Sequence, residues 1–279
     1  MYKISNDAML KFFQANMNEA KFLYTCTDIA KAGDANHIVR KIEFYTAEEN
    51  KPDLEYVEFS ENIDNELRIY IASDSFIEAV CKKILEIYDL YENVSVSTPN
   101  ADLVANNVIL KYFDISDISI ARNGDGSIYA LLSNEKLPHL IIPDKVEISP
   151  ASLEQMEQLK NLNDDEWQGL PRSLNRWWDY YTGDSTLLFL LHYDNVLAGY
   201  LDANCRYKNF YDIAYIFVQD KFRGKDFGVL LTTYFAHHCL NNGFIPHYGT
   251  SASKYSANVA IKSGFEESER RHSFTISIK

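Results

Sequence analysis

The sequence predicts an α/β protein of the mixed-sheet (α+β) kind, arranged as two domains. Three observations carry this. Stretches with a two-residue apolar alternation repeatedly give way to stretches with helical spacing. That periodicity lapses once, over residues 133–150, where Pro138, Pro143 and Pro150 punctuate the chain. The boundary is placed near Pro143, giving domains 1–143 and 144–279. Finally, 279 residues with 46% hydrophobic content supply enough apolar material for two cores and too much for a disordered chain. Collagen-like, low-complexity and disulfide-scaffold classes are excluded.

The elements follow in order. Ser5, Asn6 and Asp7 form a helix cap before Met9, Leu10, Phe13 and Met17, which share one helical face. Strand runs are expected at 38–45, 56–59 and 67–71. Ser73 and Asp74 then cap a helix carrying Phe76, Ile77, Val80, Ile84, Ile87 and Tyr91 on one side. Residues 93–97 alternate as a strand, and 101–112 have helical spacing. Gly124 and Gly126 are read as a hairpin turn between strands at 118–121 and 127–132. Beyond the boundary come a strand at 146–148, a helix at 152–162 and a second helix around Trp177 to Tyr181. A hairpin turns at Asp194 and Asn195, followed by a third strand at 211–218. A helix at 227–240 stops at Asn242 and Gly243. A strand at 245–248, a helix at 255–262 and two closing strands, near Glu266 and at 274–278, complete the chain.

The formal charge is −13. Through Pro143 there are 13 basic and 23 acidic residues, so −10; the remainder has 14 and 17, so −3. A field of this sign disfavours nucleic acid and anionic membranes. Cys26, Cys81, Cys205 and Cys239 are far apart, without C-x-x-C or zinc-ligand spacing, so no metal is expected. The longest apolar stretch, 187–191, is far short of a bilayer span, and the first residues lack a signal-peptide core. A cytoplasmic protein is expected.

The segment that carries chemistry is Val218-Gln219-Asp220-Lys221-Phe222-Arg223-Gly224-Lys225-Asp226-Phe227-Gly228. A strand feeds a short, basic, glycine-containing loop into a helix start. First-turn amides and the helix dipole there favour an anion, and Gly224 and Gly228 allow close backbone approach. An ordinary βα loop with surface charges is the competing reading. No G-K-[ST] follows a spaced glycine, so it is not a Walker A loop.

At these residues the sequence resembles the GNAT superfamily of N-acyltransferases, which carries V-x-P-x-[FY]-R-G-[KQ]-G-[ILF]-G at this junction. Val218, Phe222, Arg223, Gly224, Lys225, Phe227 and Gly228 match. Asp220 replaces the usual proline, and Asp226 the middle glycine. Downstream, the stretch from Ser253 to Phe265 has the spacing of N-x-x-S-x-x-V-A-x-K-x-G-F, with Ser253 in place of asparagine. The resemblance covers about 145–279. It implies acetyl-CoA or a longer acyl-CoA as donor and an amine-bearing small molecule or peptide as acceptor, with a homodimer compatible. Its pyrophosphate would lie on the amides of residues 223–228, its pantetheine beside Phe217 and Val218, with Ser256 also on the cofactor. Asp226 would repel that pyrophosphate or cap the helix.

The same resemblance implies direct attack of an amine on the thioester, with a base for its proton and an acid for the leaving thiolate. Ala260 stands where many members have the acidic tyrosine, leaving Tyr255 or Ser256. Candidate bases are Asp212, Tyr215, Asp202 and His247, although a histidine such as His247 is also at home in a core. Trp177, Trp178 and Tyr181 would wall the acceptor pocket or pack the core. His192, His237 and His238 are read as structural or exposed. In the first half, a strand–helix–strand–helix series repeats this order, but Ala72-Ser73-Asp74-Ser75 has neither glycine nor a basic residue. That suggests a degenerate acyltransferase-like domain without cofactor; a chance likeness is the competing reading, since strand–helix–strand–helix order is common. A catalytically weak CoA- or peptide-binding regulatory protein is the alternative function.

Overall fold

The computed structural model describes residues 1–15, 21–33, 39–87, 90–91, 93–100, 118–130, 134–183, 186–207, 209–251 and 253–278. The chain divides into two compact units, 1–128 with 268–279, and 129–267. The division therefore falls before Pro143, and the C-terminal residues join the first unit.

The first unit holds β1 (Tyr2–Ile4), α1 (Asn6–Ala15), α2 (Lys21–Lys31), β2 (Val39–Thr46), β3 (Tyr56–Asn62), β4 (Glu66–Ile71), α3 (Ile77–Ile87), β5 (Asn93–Thr98) and most of β6 (Ile118–Ala130). Ser5 caps α1 as its sequence suggests, its Oγ accepting from the Ala8 amide at 3.2 Å. β1 to β4 pair antiparallel in sequence order, and β5 lies parallel to β4 after the α3 crossover. The alternation of β3 and β4 sends Val57, Phe59, Leu67, Ile69 and Ile71 to one face, against Phe76, Val80 and Ile84 beside α3. Each such buried side chain contributes about 1.5–3 kcal/mol of gross stabilisation. The other face receives Phe13 of α1 and Phe22 of α2, stacked at 4.8 Å, with Phe44 and Tyr56.

The second unit runs β7 (Val146–Pro150), α4 (Leu153–Leu159), α5 (Leu170–Arg176), α6 (Trp178–Tyr181), β8 (Thr186–Tyr193), β9 (Val196–Tyr207), β10 (Phe210–Val218), α7 (Phe227–Asn241), β11 (Ile245–Ser251), α8 (Lys254–Lys262) and the start of β12 (Glu266–Ile278). Strands β7 to β10 pair antiparallel, and β11 lies parallel to β10. Ser152 and Gln155 close a reciprocal capping box on α4. Asp194 and Asn195, both with positive φ (54° and 64°), make the two-residue turn of the β8–β9 hairpin. Phe189, Leu191, Leu201, Ala203, Tyr211 and Ile213 face α7, which buries Leu231, Phe235 and Cys239 against them. The opposite face packs Leu188, Leu190, Tyr200 and Phe217 against α4 to α6.

The described elements thus follow the same order twice, each series containing three antiparallel strands, a helix and a parallel strand. Some expectations need correction. Residues 118–130 form one strand through Gly124 and Gly126 rather than a hairpin. Glycine permits a turn without imposing one, and the flanking alternation is that of a single strand. The two closing strands are also one, β12. Helix α2 is absent from the sequence reading because Thr25 and Thr27 lower its helix propensity; burial of Phe22 and Cys26 stabilises it instead. The helix expected at 101–112 lies outside the described residues.

Gly199 on β9 faces Val218. A Cβ built there would lie 2.4 Å from the Phe217 carbonyl oxygen, so the strands approach this closely only with glycine. Gly199→Ala is expected to destabilise the protein by about 1–3 kcal/mol, as overpacking does. Urea unfolding would check it; a midpoint within error of the parent would show that the strands yield freely.

Candidate active site

Strand β10 is bulged between Ile213 and Tyr215 in its register with β9. Its ladder with β11 joins residues 210–213 to 245–248. The strand ends at Val218 and leads through a 3-10 turn, Asp220–Phe222, to the start of α7. Phe222 and Phe227 anchor this connection beneath, each with its ring against Tyr193. Between them Gly224 (φ 80°) and Asp226 (φ 54°) both adopt the left-handed region, which turns the backbone sharply outward. Among the described residues, the N–H groups of residues 224–229 meet no acceptor. This is a set of outward donors at the positive end of a 15-residue helix.

The charged side chains of the loop are each engaged inside the protein. Arg223 reaches Asp220 at 2.9 Å and donates Nε–H to the Val218 carbonyl at 3.3 Å. Lys225 lies over the Tyr193 ring at 5.3 Å. Asp226 occupies the N-cap position, yet its side chain caps nothing; its Oδ1 pairs instead with Lys262 Nζ at 2.9 Å. Gly228 sits where a Cβ would be 3.5 Å from Val259, so the start of α7 runs close to α8.

On the sheet, Asp212 lies between Tyr211 and Ile213, and Asp202 between Leu201 and Ala203, all four of which face α7. Alternation therefore directs both carboxylates to the face beneath α4 to α6. Asp212 and His247 are register partners across β10 and β11. Both are 2% exposed, with Nδ1 2.9 Å from Oδ1. The carboxylate can only accept, so Nδ1 carries the proton and Nε2 points away from Asp212. Asp202 accepts a 2.7 Å hydrogen bond from Tyr181, both being buried. Burial raises the neighbouring Tyr200 phenol far above its ordinary value, with Tyr215 and Asp202 adding to the effect.

The remaining sequence candidates are placed as follows. Tyr215 reaches Gln168 at 3.5 Å. Tyr255 projects into solvent, 86% exposed, whereas Ser256 Oγ lies 2.7 Å from the Tyr248 hydroxyl. Ala260 is fully buried against α7 and offers no hydroxyl. Trp178 packs on the α4–α6 core under the Lys160 ammonium, while Trp177 is half exposed. His237 bonds the Pro138 carbonyl and His238 packs on Phe189. Cys81 and Cys239 are buried, and desolvation pushes the Cys81 thiol up to about 12, as for a small hydrophobe. Among the described residues no three His, Cys, Asp or Glu side chains cluster as metal ligands. No described helix is long and apolar enough to cross a membrane.

No protein-family model matches the sequence, and neither does any curated protein. Solved structures do match. An acetyltransferase of the GNAT family from Colwellia psychrerythraea is 14% identical, with a TM-score of 0.56 over 99% of this chain and 97% of that one. A tandem GNAT protein from the clavulanic acid biosynthesis pathway is 12% identical, with a TM-score of 0.51 over the same shares. A GCN5-related N-acetyltransferase from Kribbella flavida is 12% identical, at 0.50 over 78% of this chain and 86% of that one. The fold is the GNAT fold.

The likeness to GNAT structures extends over both units, in keeping with the twofold element series. At the corresponding junction after β4 the first unit has Ala72-Ser73-Asp74-Ser75, with neither glycine nor a basic residue. There Ser73 and Ser75 bond each other and the Asn100 amide donates to Asp74 at 2.5 Å. Sequence reading missed Tyr181 as the partner of Asp202, Tyr248 as the partner of Ser256, and Lys262 as the partner of Asp226. Each pair joins two different elements, at separations of 21, 8 and 36 positions, and no local spacing announces it.

Proposed function

We propose that the protein is an N-acyltransferase that moves an acetyl group from acetyl-CoA to an amine on a small molecule or peptide. The observation that carries this reading is the row of outward amides over residues 224–229, set at the end of a bulged strand in a GNAT fold. That row suits a pyrophosphate, and Phe217 and Val218 at the strand end would lie beside the pantetheine. On the sheet face, His247 is the base: Nε2 takes the proton from the amine, directly or through one water, while Asp212 holds the ring. The amine nitrogen bonds to the thioester carbon, the C–S bond breaks, and the thiolate is protonated from the Tyr248–Ser256 pair or solvent. The first unit is a degenerate copy without a donor site, and the amine specificity is set by the face carrying Asp202 and Tyr181.

Isothermal titration with acetyl-CoA tests the reading, followed by thiol release across a panel of amines. Micromolar binding at one site per chain and amine-dependent thiol release are expected; absence of binding at near-millimolar ligand would remove it. Ala260, together with the ion pairs on Arg223 and Asp226, favours a second reading, a CoA-binding regulatory protein. Binding without thiol release for any amine would select it.

A further inference from the structure

We infer that Lys262 is a phosphate-binding residue of the donor site, held in reserve by Asp226, which acts as a built-in competitor for the incoming anion. The inference rests on the donor reading above. Lys262 is the last residue of α8, where a cation suits the dipole of its own helix. Its Nζ nevertheless lies 2.9 Å from Asp226 Oδ1, at the N-cap position of α7. An ammonium beside the positive end of another helix gains nothing from that dipole unless an anion sits between them. Asp226 supplies the anion in the unliganded protein.

The placement is built rather than incidental. Ser263, the next residue, donates its hydroxyl to the Val229 carbonyl at 3.2 Å, and Val259 packs on Gly228. The last turn of α8 is thus fastened to the first turn of α7, so Lys262 is carried wherever the donor amides are. The side chains of Lys262 and Asp226 are 59% and 70% exposed, so their ion pair is weak and readily exchanged. A pyrophosphate arriving on the amides of residues 224–229 offers Lys262 a partner with two negative charges in place of a carboxylate. Asp226 then swings to solvent or remains as a repulsive neighbour. The same residue that departs from the glycine of the motif sets the affinity.

The test is titration of the full chain and of Lys262→Ala and Asp226→Asn with two probes, acetyl-CoA and acetyl-pantetheine, which lacks the phosphates. Asparagine tolerates the left-handed backbone and removes only the charge. Lys262→Ala is expected to weaken acetyl-CoA about fivefold at low salt, the scale of one exposed charge contact. Asp226→Asn is expected to tighten it by a similar factor. Both effects should shrink in high salt, and acetyl-pantetheine should bind all three proteins alike. Equal acetyl-CoA affinity for the parent and Lys262→Ala, or equal losses with both probes, would overturn the inference while leaving the donor site standing. A parent chain that binds neither probe would overturn the donor reading itself.

Discussion

Asp212→Asn is expected to lower kcat by roughly 10²–10³ while leaving acetyl-CoA affinity unchanged. The carboxylate accepts from His247 Nδ1 at 2.9 Å inside the protein, and the proposed mechanism uses Nε2 as the proton acceptor. Asparagine has nearly the same shape but presents either an amide oxygen or an NH₂ group. The second choice reverses the imidazole tautomer, and both remove the charge that stabilises the imidazolium formed when the amine gives up its proton. The loss should fall on kcat with the KM for acetyl-CoA unmoved, a split that a general loss of structure would not give. Steady-state kinetics from pH 5.5 to 9 with the best amine of the panel would measure it. A kcat within twofold of the parent would exclude His247 as the base. Asp202 would then be the next candidate, as the other buried carboxylate of that face.

Most of the second unit was legible because its signals are local. The βα junction at Val218 to Gly228 combines a strand pattern, a glycine able to take positive φ and a helix start within eleven residues. The Asp194-Asn195 turn has the same character. The candidate site was legible only as a set of residue types. Asp212 and His247 are 35 positions apart, and their meeting depends on the parallel register of β10 and β11, which no spacing fixes. Tyr255 shows the converse. It is the tyrosine nearest Ala260 in sequence, and the rotation of α8 turns it to solvent while Ser256 faces Tyr248.

The first unit was harder because non-local burial holds it. β12 supplies Arg271 and also Glu269, which lies 199 positions from Tyr70 and accepts from its hydroxyl at 3.2 Å. Arg271 lies over the Tyr70 ring and donates Nε–H to Glu269. A buried carboxylate is acceptable there because a guanidinium and a phenol attend it. Composition reveals the acidity of residues 1–143 as a net charge of −10, but not that some of those carboxylates are inside.

Glu58→Gln should make the protein more stable at pH 8 by about 3 kcal/mol, with the gain falling below about 1 kcal/mol at pH 5. Glu58 is buried on β3, between Tyr56 and Ser60, and accepts from Thr25 of α2 at 3.1 Å. Desolvation, then the nearby Asp28 on α2, push its carboxyl from 4.5 up to about 7; Arg271 and the hydroxyls of Thr25 and Ser60 oppose the rise. Between pH 4.5 and 7 the folded protein therefore holds a proton that the unfolded chain has released. Stability falls across that window and is level above it. An interval of that width corresponds to about 3 kcal/mol. Glutamine resembles the protonated acid in shape and can donate through its NH₂ group, so the variant has no such loss. Urea unfolding of both proteins at pH 5 and pH 8 gives the difference directly. A pH-independent difference would mean that Glu58 does not change its protonation on folding. The expected result would instead mark the contact between α2 and β3 as the acid-stabilised part of the first unit.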